Sequence, residues 1–227
     1  MMTNKQFQTL CLTIAVVISL HVQSRMQAVA QEAPQSEQKS ASQDFFTFGL
    51  SYNQINVGRQ YNPARFTPMF SASYSHKFLP WFDVEATANI TGRSNANYGL
   101  FGEASMTGTL TGDATALFTP FAGQSTGWER LRIGAGISLQ SNSVSATAFV
   151  PATSGWEIRD VYSTYLQWGA HVKAEYLFPV SSNVDIGLRG QIHIFGAASE
   201  HQGNYPLVFT QPYSPQLSFG GFIRFRF

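Results

Sequence analysis

The sequence ends on Pro215–Phe227, PQLSFGGFIRFRF, a stretch in which two kinds of residue alternate. From Leu217 onward every second position is apolar or glycine, and most of the positions between them are polar or small. A period of two with unlike faces predicts a β-strand whose two sides meet different surroundings. This strand runs up to the aromatic Phe227.

The same alternation recurs upstream in seven further segments. They lie near residues 46–52, 66–78, 82–90, 104–118, 131–139, 166–176 and 184–194. About ten residues is the length that a tilted strand needs to cross a bilayer. The connections at 53–65, 92–101, 141–165 and 196–214 are long, whereas those at 79–81 and 178–183 are short, and 119–128 is intermediate. The pattern predicts hairpins with long loops at one end and tight turns at the other.

Composition indicates which face meets lipid. Only 12% of the residues are charged and 14% are aromatic, which is unusual for a surface in water. Aromatic residues of the apolar face fall at the strand ends: Phe46, Phe78, Phe82, Phe118, Tyr176, Phe178, Phe225 and Phe227 at one end, and Tyr52, Phe66, Phe101, Tyr165, Trp168 and Phe195 at the other. Two such girdles are typical of barrels in lipid, so we expect the apolar face outside.

The first 43 residues have a different character. Lys5, the apolar run 10–20 and the small residues Ala28 and Ala30 predict a signal peptide over 1–30. Residues 31–43 are polar and predict a flexible tail, which leaves 44–227 for the barrel. The single cysteine, Cys11, lies inside the predicted signal peptide, so no disulfide or thiolate metal site is expected.

The polar face carries charges of both signs in equal number. Its acids are Asp83, Glu85, Glu103, Asp113, Glu175 and Asp185, and its bases are Arg130, Arg132, Lys173, Arg189, Arg224 and Arg226. An eight-stranded barrel is just wide enough for side chains to fill, and charges buried there must pair. We therefore predict an ion-pair network in the lumen and no wide pore.

Taken together, these features resemble the OmpA/OmpX-type small outer-membrane barrels, over roughly residues 44–227. The resemblance implies an all-β, eight-stranded antiparallel up-and-down transmembrane β-barrel in the bacterial outer membrane, with both termini in the periplasm and four external loops. It implies that the barrel-assembly machinery recognises the last strand through Ile223, Phe225 and Phe227. The expected partners are outer-membrane lipid and lipopolysaccharide, without nucleic acid, and the expected state is a monomer.

Three functions remain open. The first is a non-catalytic structural or surface-interaction role through the external loops, whose ligand the sequence does not identify. The second is a narrow channel or small-molecule carrier. The third is a lipid A-modifying enzyme, which would need an activated serine near His171 or His193, but a hydrogen-bonded plug is the simpler interpretation of these two residues. No metal or cofactor site is predicted. The loop aromatics offer either a ligand surface or contacts with lipid headgroups: Tyr98, Trp156, Tyr162, Phe209 and Tyr213.

Overall fold

The computed structural model describes residues 43–55, 65–97, 103–123, 125, 127–204, 213 and 215–227. The strands of this part are β1 (Gln43–Ile55), β2 (Arg65–Leu79), β3 (Phe82–Thr91), β4 (Ser94–Asn97), β5 (Glu103–Phe118), β6 (Leu131–Ala152), β7 (Gly155–Pro179), β8 (Val184–Phe195), β9 (Glu200–Gly203) and β10 (Pro215–Arg226). One turn of 3-10 helix, Trp128–Arg130, precedes β6. The described segments include no helix long and apolar enough to cross a bilayer. The predicted signal peptide and all but the last residue of the predicted tail lie outside the described residues.

The sheet closes on itself. The first strand pairs with the last, with Phe45 opposite Arg226 and Gln54 opposite Leu217. The short strands β4 and β9 pair with β5 and β7, where they extend the lines of β3 and β8. The wall therefore has eight positions, and every neighbouring pair is antiparallel. The predicted eight-stranded antiparallel barrel is confirmed.

Burial alternates along the wall, so each strand has an inner and an outer face. The pattern is strict along β3 and β8. Phe219 and Ile223 are 55% and 44% exposed on the outside, whereas Arg189 and Asp113 are 6% and 5% exposed inside. A continuous apolar outer wall of this size is unfavourable in water and favourable in hydrocarbon, which places the bilayer around the barrel.

The two ends of the barrel differ. At the terminal end, where β1 begins and β10 ends, short connections join β2 to β3 and β7 to β8. Exposed aromatic rings meet there, for example Trp81 stacked on Phe118 at 6.2 Å, as the girdle prediction requires. At the opposite loop end the girdle prediction is wrong for Tyr165 and Phe195, which are 0% and 1% exposed and point inward. Both residues share strand parity with the inward polar residues. The girdle prediction put them outside because they are aromatic residues at strand ends.

The hairpin of β6 and β7 is much longer than the wall needs. These strands have 22 and 25 residues, and they pair continuously from Leu131 opposite Tyr176 to Ala152 opposite Gly155. The long loop expected at 141–165 is therefore wrong, because the ladder runs through it to a turn at Thr153 and Ser154. Beyond the barrel wall the two faces of the hairpin no longer meet lipid on one side and the lumen on the other. The sequence therefore lacks the alternation that predicts strands.

Candidate functional site: the polar lumen

The lumen is lined by the inward face of every wall strand. Because neighbouring strands are in register, inward residues that are far apart in sequence lie at the same height. Arg132 is opposite Glu175, and Glu175 is in turn opposite Arg189. The lumen therefore has layers: charged groups toward the terminal end, an aspartate with two histidines in the middle, and amides toward the loop end.

The charged layer is built around a group that we call the ion cluster. Its members are buried, with at most 6% of their surface exposed: Asp83, Glu85, Arg132, Lys173, Glu175 and Arg189. Arg132 bridges two acids, donating from Nη2 to Asp83 at 2.5 Å and from Nη1 to Glu175 at 3.0 Å. Its planar fork fits this task, because each nitrogen can face a different carboxylate.

The remaining contacts join the cluster into one network. Lys173 donates to Glu85 and lies 3.5 Å from Glu175. Arg189 donates from Nε to Glu175 at 2.7 Å and lies 3.7 Å from Glu85. Three acids and three bases make the cluster neutral. Neutrality matters because an uncompensated charge in this position costs several kcal/mol.

A second charged group closes the mouth at the terminal end. Arg224 donates to Asp185 Oδ2 from Nε at 2.9 Å and from Nη2 at 2.6 Å. The guanidinium of Arg224 also lies over the ring of Phe45, 4.4 Å from its centroid. Arg226 is at the rim, 3.8 Å from Asp185, with 36% of its side chain exposed. The mouth is thus held by ionic and cation–π contacts together.

The middle layer is centred on one carboxylate, and we call it the Asp113 cluster. Asp113 Oδ1 accepts a hydrogen bond from Ser138 at 2.7 Å and lies 3.1 Å from His193 Nε2 and 3.7 Å from His171 Nδ1. Asn89 and Gln191 donate to the other oxygen, Oδ2, at 2.8 Å and 3.1 Å. Two of these partners are imidazoles and none is a lysine or an arginine.

Side-chain amides fill the lumen above the Asp113 cluster. Gln140 and Gln216 exchange hydrogen bonds across the barrel at 3.2 Å and 3.4 Å. Asn142 donates to Gln140 at 3.1 Å and to Gln167 at 3.2 Å. All four are at most 4% exposed. The described lumen is therefore packed with side chains from the mouth to the amide layer.

A serine, a histidine and an aspartate meet in the Asp113 cluster. Their hydrogen bonds, however, connect them in a different order from those of a catalytic triad. In a catalytic triad the serine and the acid bind opposite nitrogens of the imidazole. Here Ser138 lies 2.8 Å from His171 Nδ1 and donates to Asp113 itself, while His171 Nε2 contacts Thr115 at 2.9 Å. Ser138 is also 1% exposed. The arrangement is a closed hydrogen-bond network.

The structure places the predicted lumen charges in three ways. Nine are buried inside: Asp83, Glu85, Asp113, Arg132, Lys173, Glu175, Asp185, Arg189 and Arg224. Arg226 is at the rim, and the side chain of Glu103, at the start of β5, lies outside the described part of the chain. The prediction is wrong for Arg130, which lies in the 3-10 turn before β6 with 43% of its side chain exposed, 3.7 Å from Glu129. Parity alone had placed Arg130 inside, but the strand begins one residue later.

The proposed assembly residues lie on the outer wall. Ile223, Phe225 and Phe227 are 44%, 37% and 44% exposed. The Phe227 amide donates to the Asp44 carbonyl at 3.0 Å, so the chain end is tied to the first strand. Their recognition by assembly machinery stays a prediction.

Several lumen residues were not singled out from the sequence. Asn89, Ser138 and Gln191 surround Asp113, and Phe45 and Phe222 lie under Arg224 and Arg189. Strand parity places the polar three inside, since each falls on the polar side of its strand, but parity does not show that they meet at Asp113. The two phenylalanines share strand parity with the polar residues, and their rings contact the guanidinium groups of Arg224 and Arg189.

Solved structures of outer-membrane proteins have a similar fold. No family model matches the sequence, and no curated protein matches it either. Among solved structures, the outer membrane protein OprG from Pseudomonas aeruginosa is similar with 10% identity over 82% of this chain and 96% of that one, at a TM-score of 0.51. Ail of Yersinia pestis is similar with 11% identity over 82% and 99%, at 0.48. Neisserial surface protein A is similar with 14% identity over 82% and 97%, at 0.45.

The fold and the exposed apolar wall define the class of this protein. It is a small eight-stranded β-barrel with a lipid-facing wall and the fold of outer-membrane barrels, and the prediction of an OmpA/OmpX-type barrel is confirmed at the level of the fold.

Proposed function

We propose that this barrel is a non-catalytic outer-membrane protein whose loop end binds partners outside the cell. Its termini lie in the periplasm, and the β6–β7 hairpin stands outside the cell. The outer wall contacts membrane lipid and lipopolysaccharide, and the last strand is the segment recognised during assembly. The protruding hairpin is the observation that carries this proposal.

The hairpin extends past the neighbouring strands that the structure describes. Residues 155–162 of β7 pair with β6, and the pairing of β7 with β9 begins only at Ser163. At about 3.3 Å per residue, this section rises about 25 Å along the strand. Asn204 anchors its base, donating to the Asp160 carbonyl at 3.0 Å and accepting from the Tyr162 amide at 2.8 Å.

The hairpin presents apolar side chains on one face. Trp156, Ile158 and Tyr162 are 72%, 64% and 58% exposed, at positions of the same strand parity. Exposed aromatic residues on a rigid strand lose little conformational entropy on binding, and tryptophan and tyrosine are frequent binding hot spots. These three residues support a binding surface rather than a purely structural hairpin.

The packed lumen supports a role without transport. Arg132, Glu175 and Arg189 join three wall strands through direct contacts at 3.0 Å and 2.7 Å. A solute could pass only if several buried ion pairs broke together. We therefore expect no conductance from the protein in a planar bilayer, and stable single-channel currents would instead favour the narrow channel.

Adhesion of whole cells tests the surface role. Cells that express the protein are applied to surfaces coated with gelatin, heparin or purified lipopolysaccharide. We expect more cells to be retained with the wild type than with Trp156→Ser/Ile158→Ser on at least one surface. Trp128→Ser is the matched control, because Trp128 is 58% exposed at the terminal end. Equal retention of wild type and the double variant on all three surfaces would contradict the proposal.

A further inference from the structure

One buried carboxylate differs from all the others in its charge partners. Each of Asp83, Glu85, Glu175 and Asp185 lies within 4.0 Å of a lysine or arginine nitrogen. Among the described residues, Asp113 has only His171 and His193 within that distance. It is also 5% exposed, in the middle of the barrel. The fold therefore compensates every described lumen carboxylate with a permanent cation except this one.

The atoms around Asp113 are those that bind a transition metal. Asp113 Oδ1, His171 Nδ1 and His193 Nε2 converge, and one ligand atom from each residue lies within 4.8 Å of the others. A tetrahedral zinc ion with bonds of 2.0–2.1 Å holds its ligands about 3.3 Å apart. The two distances from Asp113 Oδ1 to the histidine nitrogens, 3.1 Å and 3.7 Å, bracket that value.

The surrounding residues orient these ligands. His171 presents Nδ1 toward Asp113 while its other nitrogen, Nε2, is 2.9 Å from the Thr115 hydroxyl. Asn89 and Gln191 donate to the Oδ2 oxygen of Asp113, and Ser138 donates to Oδ1. His193 Nε2 lies 3.1 Å from Oδ1 and 3.2 Å from Oδ2. Metal-binding histidines and carboxylates are usually fixed in this way by a second hydrogen bond.

We propose that Asp113, His171 and His193 bind a divalent transition metal ion of the zinc class inside the barrel. Two imidazoles and one carboxylate suit zinc, and they exclude the all-oxygen coordination that calcium and magnesium prefer. The ion supplies the positive charge that lysine and arginine supply to the other lumen carboxylates. The proposal rests on the lumen alone and is independent of the role of the β6–β7 hairpin.

The metal content of the purified barrel tests this proposal. The full chain is expressed in a Gram-negative host with zinc in the medium, so that loading does not depend on access to a folded lumen. It carries an affinity tag without histidine, is extracted in detergent, and is freed of loose metal by gel filtration. Bound zinc per chain is then measured by mass spectrometry. We expect about one zinc ion per wild-type chain, as a single site of this kind requires.

Variants separate this site from other histidines. Asp113→Asn and His193→Gln keep the size of the side chain and are expected to retain less than about a tenth of the wild-type zinc, because each removes a ligand. His76→Gln is the matched control, since His76 also contacts an aspartate, with its Nδ1 2.6 Å from Asp44, but lies at the outer wall. His76→Gln is expected to retain as much zinc per chain as the wild type.

Two results would overturn the proposal. One is wild-type protein that carries no more zinc than Asp113→Asn. The other is zinc that disappears with His76→Gln and persists in His193→Gln. Heat-modifiable migration on a gel, checked for every variant, ensures that folded barrels are compared.

Discussion

Two glycines of β8, three positions apart, show how a single residue controls side-chain packing in the lumen. Gly187 faces inward, and a Cβ there would lie 2.2 Å from the Phe222 ring. That ring lies 5.0 Å from the guanidinium carbon of Arg189. Gly190 faces outward, and a Cβ there would meet nothing within 4 Å. The glycine that faces Phe222 thus makes room for a ring that supports the ion cluster.

The first prediction compares these two positions. Gly187→Val displaces Phe222 from its place beside Arg189, so we expect the free energy of unfolding to fall by about 1–3 kcal/mol, the usual cost of overpacking. Gly190→Val adds an apolar side chain to a lipid-facing surface and is expected to change it by less than about 0.5 kcal/mol. Urea unfolding in lipid vesicles, followed by tryptophan fluorescence, measures both. Equal effects would contradict the placement of Phe222.

The second prediction compares Arg132 with its neighbour Arg130. Arg132→Met leaves Asp83 and Glu175 short of a buried partner, so we expect a loss of about 3–5 kcal/mol in the free energy of unfolding. Arg130→Met removes an exposed arginine and is expected to cost less than about 0.5 kcal/mol. The same unfolding assay applies. A tolerated Arg132→Met would mean that the ion cluster does not hold the lumen together.

Among the strands, the last one closes the barrel, and this closure can be separated from its predicted recognition by the assembly machinery. Phe227 joins the outer girdle and its amide closes the barrel against Asp44. If its side chain is also an assembly signal, Phe227→Ala will lower the yield in the outer membrane severalfold while refolding from urea into vesicles is unchanged. Phe118→Ala is the matched control, because Phe118 is an outward phenylalanine with the same 44% exposure. Equal yields for the two variants would remove the assembly role.

The hairpin of β6 and β7 is predicted to be separable from the barrel. Ala146 and Val161 are partners in the ladder, so residues 147–160 can be replaced by an Asn-Gly turn without changing the register. The truncated chain is expected to form a heat-modifiable barrel and to lose the adhesion measured for the wild type. Failure to fold would show that the hairpin stabilises the wall.

For the molecule as a whole, closure of the sheet determines how the protein behaves in membranes and in detergent. The pairing of β1 with β10 leaves the wall without a free edge, which hydrocarbon would not tolerate. We expect the protein to remain in outer-membrane fractions and to migrate faster on gels before heating than after it, because detergent does not open the closed barrel at room temperature. Recovery from the soluble periplasm would contradict the bilayer placement.

Most of the strand positions, and the sides that their residues face, could be predicted from the residues alone. Alternating residues such as Phe219, Ile223 and Arg224 report lipid and lumen at every second position, because the side-chain period of a strand is fixed at two. The same signal fails for Arg130, which precedes its strand, and for the β6–β7 hairpin, where the two faces lose their contrast.

The contacts between inward residues could not be predicted in this way. Asp113 and His193 are 80 residues apart, and Arg132 and Asp83 are 49 residues apart, yet each pair shares one height of the barrel. That height depends on the register between strands and on closure of the first strand against the last. Both are properties of the whole sheet, because closing a barrel links the tilt and the stagger of all its strands.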